Sequence, residues 1–417
     1  MVGFLGKKAL ASVSLANAVF FIIIIFGLGI STGFSSLIAS IDAKKEYKKG
    51  ITIFYHALIL NFFLSIIMFI CVHIFFYILP YLGQPKEILN DTISFLNINS
   101  ISMIPWMIFE VFRKFSEGLS LVYPSLFITW ISAFVNIILN YLFINGLFNF
   151  PKLGIKGVAY ATLISRITML IGINFILYQY KKVRNYYNSF SSFLSIFILK
   201  KKYFEEILKI GVPSGLHMLF EMSTFSISSF ITGKCGIKDL AAHQIVLSLV
   251  SSTFLLSTGF SLTATIRIGN QLALKNYYEL RKIGWSIILM GTIFMLICSS
   301  IFILFRNYIP YMYIKNDMEV IDITKKIIVI ASIFQLFDGI QGFILGALRG
   351  IQDVKIPMRI SFFSYCVIAL PIAWFLSIHL KFGGIGVWIG LSLGIIISSI
   401  LLLIRYERIT KNLLKKE

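Results

Sequence analysis

Two carboxylic acids lie in stretches of the sequence that carry almost no other charge. Glu221 lies in LHMLFEMSTFSISSF, residues 216–230, and Asp338 lies in IIVIASIFQLFDGIQGFILG, residues 327–346. An ionised carboxylate at the centre of a membrane costs on the order of 3 kcal/mol, so it should face a cavity or a partner. Burial favours the neutral acid, which allows it to exchange a proton for a cation. Both residues are predicted to bind a cation; a structural ion pair or a helix-end position is the alternative for Glu221.

Polar side chains accompany both acids at helical spacing. His217 lies four residues before Glu221 on the same helical face, where it could tune the acid or lie as a polar residue at the membrane interface. Gln335 and Gln341 lie three residues to either side of Asp338. Such a polar stripe on an apolar helix predicts a cavity lining. Hydrogen bonds between helices are the alternative.

Three more polar residues lie in apolar stretches of the first half. Asn136 and Asn140 are one helical turn apart in FVNIILNYLFI, residues 134–144. Their carbonyl oxygens could bind Na⁺, or the two amides could hold helices together. Glu110 is followed by Arg113, so an ion pair at the membrane edge is predicted for it.

The elements that carry these residues are predicted to be membrane-spanning helices. Hydrophobic residues make up 58% of the 417 residues and charged residues only 13%, with a mean hydropathy of +0.86. Stretches of roughly 20 apolar residues recur along the chain, which is the length that crosses a bilayer as a helix. The fold class is therefore an all-α polytopic membrane protein. Eleven spans are expected near 13–39, 52–79, 92–112, 119–146, 155–180, 207–232, 240–265, 283–307, 325–347, 357–380 and 384–405.

The formal charge of +20 indicates orientation rather than a nucleic-acid partner. Alternate loops on one side carry 25 of the 38 Lys and Arg residues, and those on the other side carry 12. The set richer in Lys and Arg, which includes the C-terminal tail, is expected to be cytoplasmic. The protein is therefore expected in a bacterial inner membrane with its C-terminus in the cytoplasm. The four cysteines are scattered and predict neither a metal site nor a disulfide framework.

The two halves of the chain repeat each other at an offset of about 230 residues. LGKKALASVSLANAVF, from Leu5, aligns with CGIKDLAAHQIVLSLV, from Cys235, and Gly118 aligns with Gly350. The repeat predicts an N-lobe over 1–180, a basic linker over 181–206, a C-lobe over 207–405 and a basic tail over 406–417. Two similar membrane halves are typical of transporters. The helix that carries Glu221 has its counterpart upstream of Met1, so a twelve-helix fold with eleven helices present is expected.

The sequence resembles the multidrug and toxic-compound extrusion (MATE) family, in particular its NorM-like branch. The stretches that carry the resemblance are DLAAHQIVLSLVSSTFLLSTGFSLTATIRIGNQLA at 239–273, FVNIILNYLFI at 134–144 and GALRGIQDVKIP at 346–357. Within the first stretch, Arg267, Gly269 and Asn270 form a loop signature at a helix end and are expected to anchor or gate. His243 and Gln244 are expected to pack or to cap a helix.

The resemblance implies two lobes of six helices and export of organic cations in exchange for Na⁺ or H⁺. It also implies that Glu221 and Asp338 bind the coupling ion. Phe334 stands where NorM-like members carry an aromatic hydroxyl, and Asn140 stands where some relatives carry Asp. No cofactor beyond the coupling ion and no nucleic acid is expected, and the chain is expected to be a monomer in the bilayer.

Other functions are considered on the same residues. A Walker-type phosphate loop, a nucleophile elbow and HExxH do not occur in the sequence, so an ATPase or a membrane-embedded enzyme is not favoured. A flippase for a lipid-linked polar head group is the main alternative, although two acidic residues in the cavity argue against it. A decaying, non-functional transporter is the third hypothesis.

Overall fold

The structure is a computed structural model that describes residues 5–82, 86–146, 151–189, 199–314 and 317–415, and these ranges contain helices but no strands. The chain forms two compact units, Met1–Gly215 and Leu216–Glu417. Unit 1 contains α1 (Lys7–Ala43), α2 (Tyr47–Ile78), α3 (Lys86–Ile101), α4 (Met103–Gly118), α5 (Tyr123–Asn145), α6 (Ile155–Gln179), α7 (Lys181–Asn188) and the first part of α8 (Lys201–Cys235). Unit 2 contains the rest of α8 with α9 (Ile237–Ala273), α10 (Tyr277–Leu304), α11 (Met318–Gly350), α12 (Lys355–Phe362), α13 (Leu370–Trp374) and α14 (Gly383–Leu414).

The prediction of an all-α polytopic membrane protein is confirmed. Within the described ranges, nine helices are long and apolar enough to cross a membrane. The segments Ile88–Ile101 and Met103–Gly118, bent by 40° at their junction, make a tenth span if they are counted as one. The remaining predicted span, 207–232, lies in α8, whose 35 residues are long enough but more polar. Its polar residues include His217 and Glu221, two of the predicted site residues.

Several boundaries differ from the prediction. The predicted span 92–112 is broken at Ser102, where α3 ends and α4 begins. Helix α14 continues through most of the predicted tail to Leu414. The predicted linker contains the short helix α7, and its residues 190–198 lie outside the described ranges.

Helix starts in unit 2 follow from side chains that accept hydrogen bonds from free backbone N–H groups. Asn276 Oδ1 accepts from the N–H of Glu279 at the start of α10, and Asp317 Oδ1 accepts from the N–H groups of Glu319 and Val320 at the start of α11. Asp239 Oδ1 accepts from the N–H of Gly384, 2.6 Å away, at the start of α14. Each of these bonds satisfies a donor that has no partner within its own helix.

The two units share a backbone pattern that follows the sequence repeat. Helices α1 and α9 both have 37 residues and start after a glycine with positive φ. Two residues after the end of each helix lies a lysine in the left-handed conformation, Lys45 (φ 58°) and Lys275 (φ 59°). The turns after α4 and α11 likewise contain Ser120 (φ 63°) and Gln352 (φ 66°).

Hydrogen bonds in these four turns are also equivalent. The N–H of the left-handed residue bonds to the carbonyl three positions earlier, and the next N–H bonds to the carbonyl five positions before it. This pairing satisfies carbonyl groups that the end of a helix leaves without a partner. The two units are therefore pseudo-symmetric helical bundles with the same turn geometry.

Small residues allow helices to approach closely at equivalent places in each unit. A Cβ built on Gly118 would lie 2.9 Å from the carbonyl oxygen of Ser35, and one on Gly350 would lie 2.8 Å from that of Thr265. Ser35 and Thr265 are 230 residues apart, as the repeat requires. Lipid chains are as apolar as the helices, so close packing of this kind, rather than a hydrophobic force, drives helix association.

The close approach of Gly346 to the backbone of α9 predicts a matched pair of glycine variants on α11. A Cβ on Gly346 would lie 2.2 Å from the carbonyl oxygen of Ser261 on α9, whereas a Cβ on Gly342 would meet nothing within 4 Å. We expect Gly346→Ala to destabilise the protein by about 1–3 kcal/mol through overpacking. Gly342→Ala, the control, should be neutral or stabilising because alanine favours the helix by about 1 kcal/mol.

Thermal unfolding of the purified variants in detergent, followed by fluorescence-detected gel filtration, would measure both changes. Equal melting temperatures for the two variants would contradict the close crossing of α9 and α11 at Gly346.

Candidate functional site

A cavity of about 360 Å³ in unit 2 brings Glu221 and Asp338 to one site. Glu221 comes from α8 and Asp338 from α11, and only 8% and 5% of their surfaces are exposed. The two carboxyl groups interact electrostatically. The rest of the lining comes from α8 and α9, and consists of Met222, Phe225, Gln244, Leu247, Ser248, Val250, Ser251 and Phe254.

The lining combines two carboxyl groups with soft apolar surface. Phe225 and Phe254 supply ring faces and Met222 a flexible thioether, and these groups accept flat apolar molecules of varied shape. On α9, Gln244, Ser248 and Ser251 follow helical spacing and add neutral hydrogen-bonding groups. Such a cavity suits a molecule that has an apolar body and a positive charge.

Two side chains of unit 2, His217 and Arg349, are associated with Glu221. His217 lies on the same face of α8, as predicted, and its Nδ1 is 4.0 Å from Glu221 Oε2. Arg349, near the end of α11, interacts electrostatically with both Glu221 and His217. The positive charge of Arg349 offsets part of the cost of an ionised Glu221 in an apolar helix.

Gln335 and Gln341 are not among the residues that line the cavity. Gln335 is fully buried, and its Oε1 accepts a hydrogen bond of 3.0 Å from the Thr253 hydroxyl on α9. The Nε2 of Gln341 donates to the Tyr365 hydroxyl over 2.8 Å. Tyr365 lies in the π-helical segment Phe363–Ala369 and interacts electrostatically with both cavity carboxylates. Both glutamines therefore connect α11 to neighbouring helices.

Asn136 and Asn140 lie in unit 1, apart from this cavity lining. The Nδ2 of Asn140 donates to Asn136 Oδ1 over 2.9 Å, which confirms that the two share a face of α5. Asn136 Nδ2 in turn lies 3.4 Å from the Ser165 hydroxyl on α6. The two amides thus form a chain of hydrogen bonds between α5 and α6.

Other polar residues singled out in the sequence have structural surroundings. Glu110 pairs with Arg113 at 3.0 Å, which confirms the predicted ion pair. Arg267 is exposed, and Gly269 is buried, near the end of α9. The carbonyl oxygen of Asn270 accepts the hydrogen bond that closes that helix.

His243 packs against another ring, as expected, whereas Gln244 lines the cavity, which was not expected. The ring of His243 lies 5.8 Å from that of Trp388, and its Nε2 is 3.1 Å from the Ser229 hydroxyl. Gln244 lines the cavity in addition to approaching Ser229.

Sequence reasoning did not identify Arg349, Tyr365 or Gln244 as parts of the site. Arg349 follows Asp338 by eleven residues, which is three helical turns, so a shared face of α11 was a signal that could have found it. Tyr365 is one of 19 tyrosines and no local pattern marks it. Within the described ranges there is no group of three or more His, Cys, Asp or Glu residues able to hold a metal ion.

The helical fold defines a multi-pass membrane protein, and comparisons with known proteins agree. A family model described as MatE matches residues 1–142 and 213–375. The probable multidrug resistance protein NorM of Listeria innocua is 33% identical, with coverage of 99% of this chain and 90% of its own. That of Rhizobium meliloti is 30% identical, with coverage of 99% and 88%.

Solved structures show the same fold at lower sequence identity. A MATE transporter in the bent conformation has a TM-score of 0.88 at 21% identity and covers 100% of this chain and 90% of its own. An outward-facing multidrug resistance MATE family transporter has a TM-score of 0.87 at 20% identity, with coverage of 99% and 90%. The chain belongs to the MatE family, and its fold is that of a membrane transporter.

The hydrogen bond between Gln341 and Tyr365 predicts a non-additive pair of substitutions. Tyr365→Phe removes a buried partner of the Gln341 amide, whose Oε1 already lacks one among the described residues. We expect a loss of about 1–3 kcal/mol of stability. Adding Gln341→Leu removes the unsatisfied amide and should recover part of that loss.

Melting temperatures of the two single variants and the double variant would test this pair. Tyr308→Phe, at a side chain that is 70% exposed, is the control and should leave stability unchanged. Strictly additive losses would show that the bond does not contribute to stability.

Proposed function

We propose that the protein is a secondary active multidrug exporter that moves organic cations out of a bacterial cell in exchange for inward Na⁺ or H⁺. The observation that carries this proposal is the pair of buried carboxylates, Glu221 and Asp338, in the wall of a cavity that also presents Phe225, Phe254 and Met222. The names of the NorM relatives support multidrug export.

Exchange follows from competition for the two carboxylates. With its two acids ionised and Arg349 close to Glu221, the cavity region has an excess of one negative charge, which attracts a single organic cation. A proton or Na⁺ on Glu221 or Asp338 removes that excess and weakens the hold on the organic cation. Each ligand therefore expels the other from the same site, as antiport requires.

Neutral variants of the two acids should abolish export without loss of the protein. Glu221→Gln and Asp338→Asn keep the shape of each side chain and remove its charge. We expect affinity for tetraphenylphosphonium to fall about 10- to 100-fold, because a charged contact contributes about 1.5–3 kcal/mol. Ethidium efflux from cells that express either variant should fall to the background rate.

Matched controls lie on the same helices. Glu205→Gln on α8 and Asp322→Asn on α11 alter carboxylates whose side chains are 65% and 69% exposed, so efflux should be unchanged. Normal efflux by both cavity variants at normal expression would overturn the assigned site.

The coupling ion can be identified by competition in detergent. If Na⁺ is the coupling ion, replacing choline by Na⁺ at constant ionic strength should weaken tetraphenylphosphonium binding, and Asp338→Asn should lose this response. If H⁺ is the coupling ion, lowering the pH should weaken binding and Na⁺ should have no effect. Binding that responds to neither ion would contradict antiport through these carboxylates.

The excess of Lys and Arg in one set of loops supports a cytoplasmic C-terminus. Green fluorescent protein fused after Glu417 should be fluorescent in cells, whereas alkaline phosphatase fused there should be inactive. The reverse pattern would contradict this orientation.

A further inference from the structure

A positive charge lies in the middle of a membrane-spanning helix of unit 1. Arg166 is in α6, which runs from Ile155 to Gln179, so eleven residues precede it and thirteen follow it within the helix. Its side chain is partly buried. A cation at this depth is expensive and rare in membrane helices, and it requires an arrangement that compensates its charge.

Aromatic rings cover the face of the guanidinium group. The Arg166 Cζ lies 4.2 Å from the centroid of the Trp106 ring on α4 and 4.9 Å from that of the Phe20 ring on α1. The two rings are parallel within 6°, with centroids 6.0 Å apart. Cation–π contacts of this kind stabilise the charge but use only the faces of the planar group.

The edge of the guanidinium group, where the N–H bonds point, has one hydrogen-bond partner among the described residues. One of its nitrogens donates to the hydroxyl of Ser102, the residue at which α3 ends and α4 begins. The Arg166 side chain has five N–H donors, and this is the one hydrogen bond that it makes to the residues that the structure describes. Ser102 donates its own proton to the carbonyl groups of Asn99, so it acts as an acceptor towards Arg166.

The neighbours of Arg166 that the structure describes are aromatic rings and a hydroxyl group. In the described part of the chain its guanidinium forms no ion pair, although it lies in the middle of the membrane-spanning helix α6. Two other arginines do have acidic partners: Arg113 pairs with two carboxylates on its own helix, and Arg405 lies 2.9 Å from Asp353. Arg166 is thus a membrane-embedded guanidinium with covered faces and an unneutralised edge.

We propose that Arg166, Trp106 and Ser102 form a binding site for an oxyanion, either carboxylate or phosphate, carried by an apolar or aromatic molecule. The fork of N–H groups on a guanidinium matches two oxygens of such an anion. The Trp106 ring provides the apolar contact beside it. The site lies in unit 1 and does not depend on the cation site of unit 2, so it goes beyond the proposed function.

Two molecules carry this chemistry and can be separated by experiment. The first is a small aromatic carboxylate, for which radiolabelled salicylate is the probe. The second is the phosphate of an anionic lipid, for which phosphatidylglycerol is the probe. Salicylate binding would be measured at equilibrium on the full chain in nanodiscs of phosphatidylcholine, and lipid retention would be measured by native mass spectrometry in detergent.

Arg166→Gln should reduce binding of one of these probes at least tenfold. Arg166→Lys keeps the charge but loses the planar fork, so it should bind several-fold more weakly than the wild type and more tightly than Arg166→Gln. Arg405→Gln is the control, since its guanidinium already bonds a carboxylate, and it should leave binding unchanged.

The outcomes show which of the two molecules binds and whether Arg166 forms an oxyanion site at all. Loss of salicylate binding in Arg166→Gln assigns the site to a small carboxylate, and loss of phosphatidylglycerol alone assigns it to a lipid. If Arg166→Gln does not give a single gel-filtration peak, the comparison of Arg166→Lys with the wild type decides. Wild-type affinity for both probes in a folded Arg166→Gln or Arg166→Lys would overturn the proposal.

Discussion

The close crossing of α9 and α11 is the constraint on which the cavity of unit 2 depends. Gly346 leaves no space between its backbone and that of Ser261, and the Ser261 hydroxyl donates to the carbonyl oxygen of Gly342 over 2.7 Å. This contact fixes the rotation of α11, because a helix held at one turn presents a defined face two turns away. Asp338 therefore points towards α8 and α9, and the hydrogen bond between Gln335 and Thr253 secures the same pair of helices further along.

How far the sequence predicts this structure depends on the range of the interactions involved. Helix type and the internal repeat follow from local composition and spacing, and the cavity carboxylates stand out because ionisable residues are rare in apolar helices. The partner of Gln335, Thr253, is 82 residues away in the chain. Whether Gln335 lines the cavity or bonds to another helix therefore depends on tertiary packing, which the local sequence does not indicate. The break at Ser102, in contrast, has a local signal, because it lies among Asn and Ser residues and three residues before Pro105, as at the start of a new helix.

The two units share a backbone but differ in the charges of their interiors. Unit 2 contains two carboxylates and Arg349 around one cavity. Unit 1 contains amides and hydroxyls on α5 and α6, and the charge in the middle of α6 is positive. Buried charges need a specific environment, so each unit offers a different chemistry on the same helical framework.

The left-handed turns indicate how the two units are related in evolution. A non-glycine residue in this conformation costs on the order of 1–3 kcal/mol, and glycine would avoid that cost. Yet both units have a non-glycine residue at the same two turns. The turns after α1 and α9 contain Lys45 and Lys275, and the turns after α4 and α11 contain Ser120 and Gln352. Independent chains would have little reason to adopt the same uncommon choice twice. The matching turns therefore point to duplication of a half-length ancestor, in which backbone geometry was inherited while the buried charges were free to diverge.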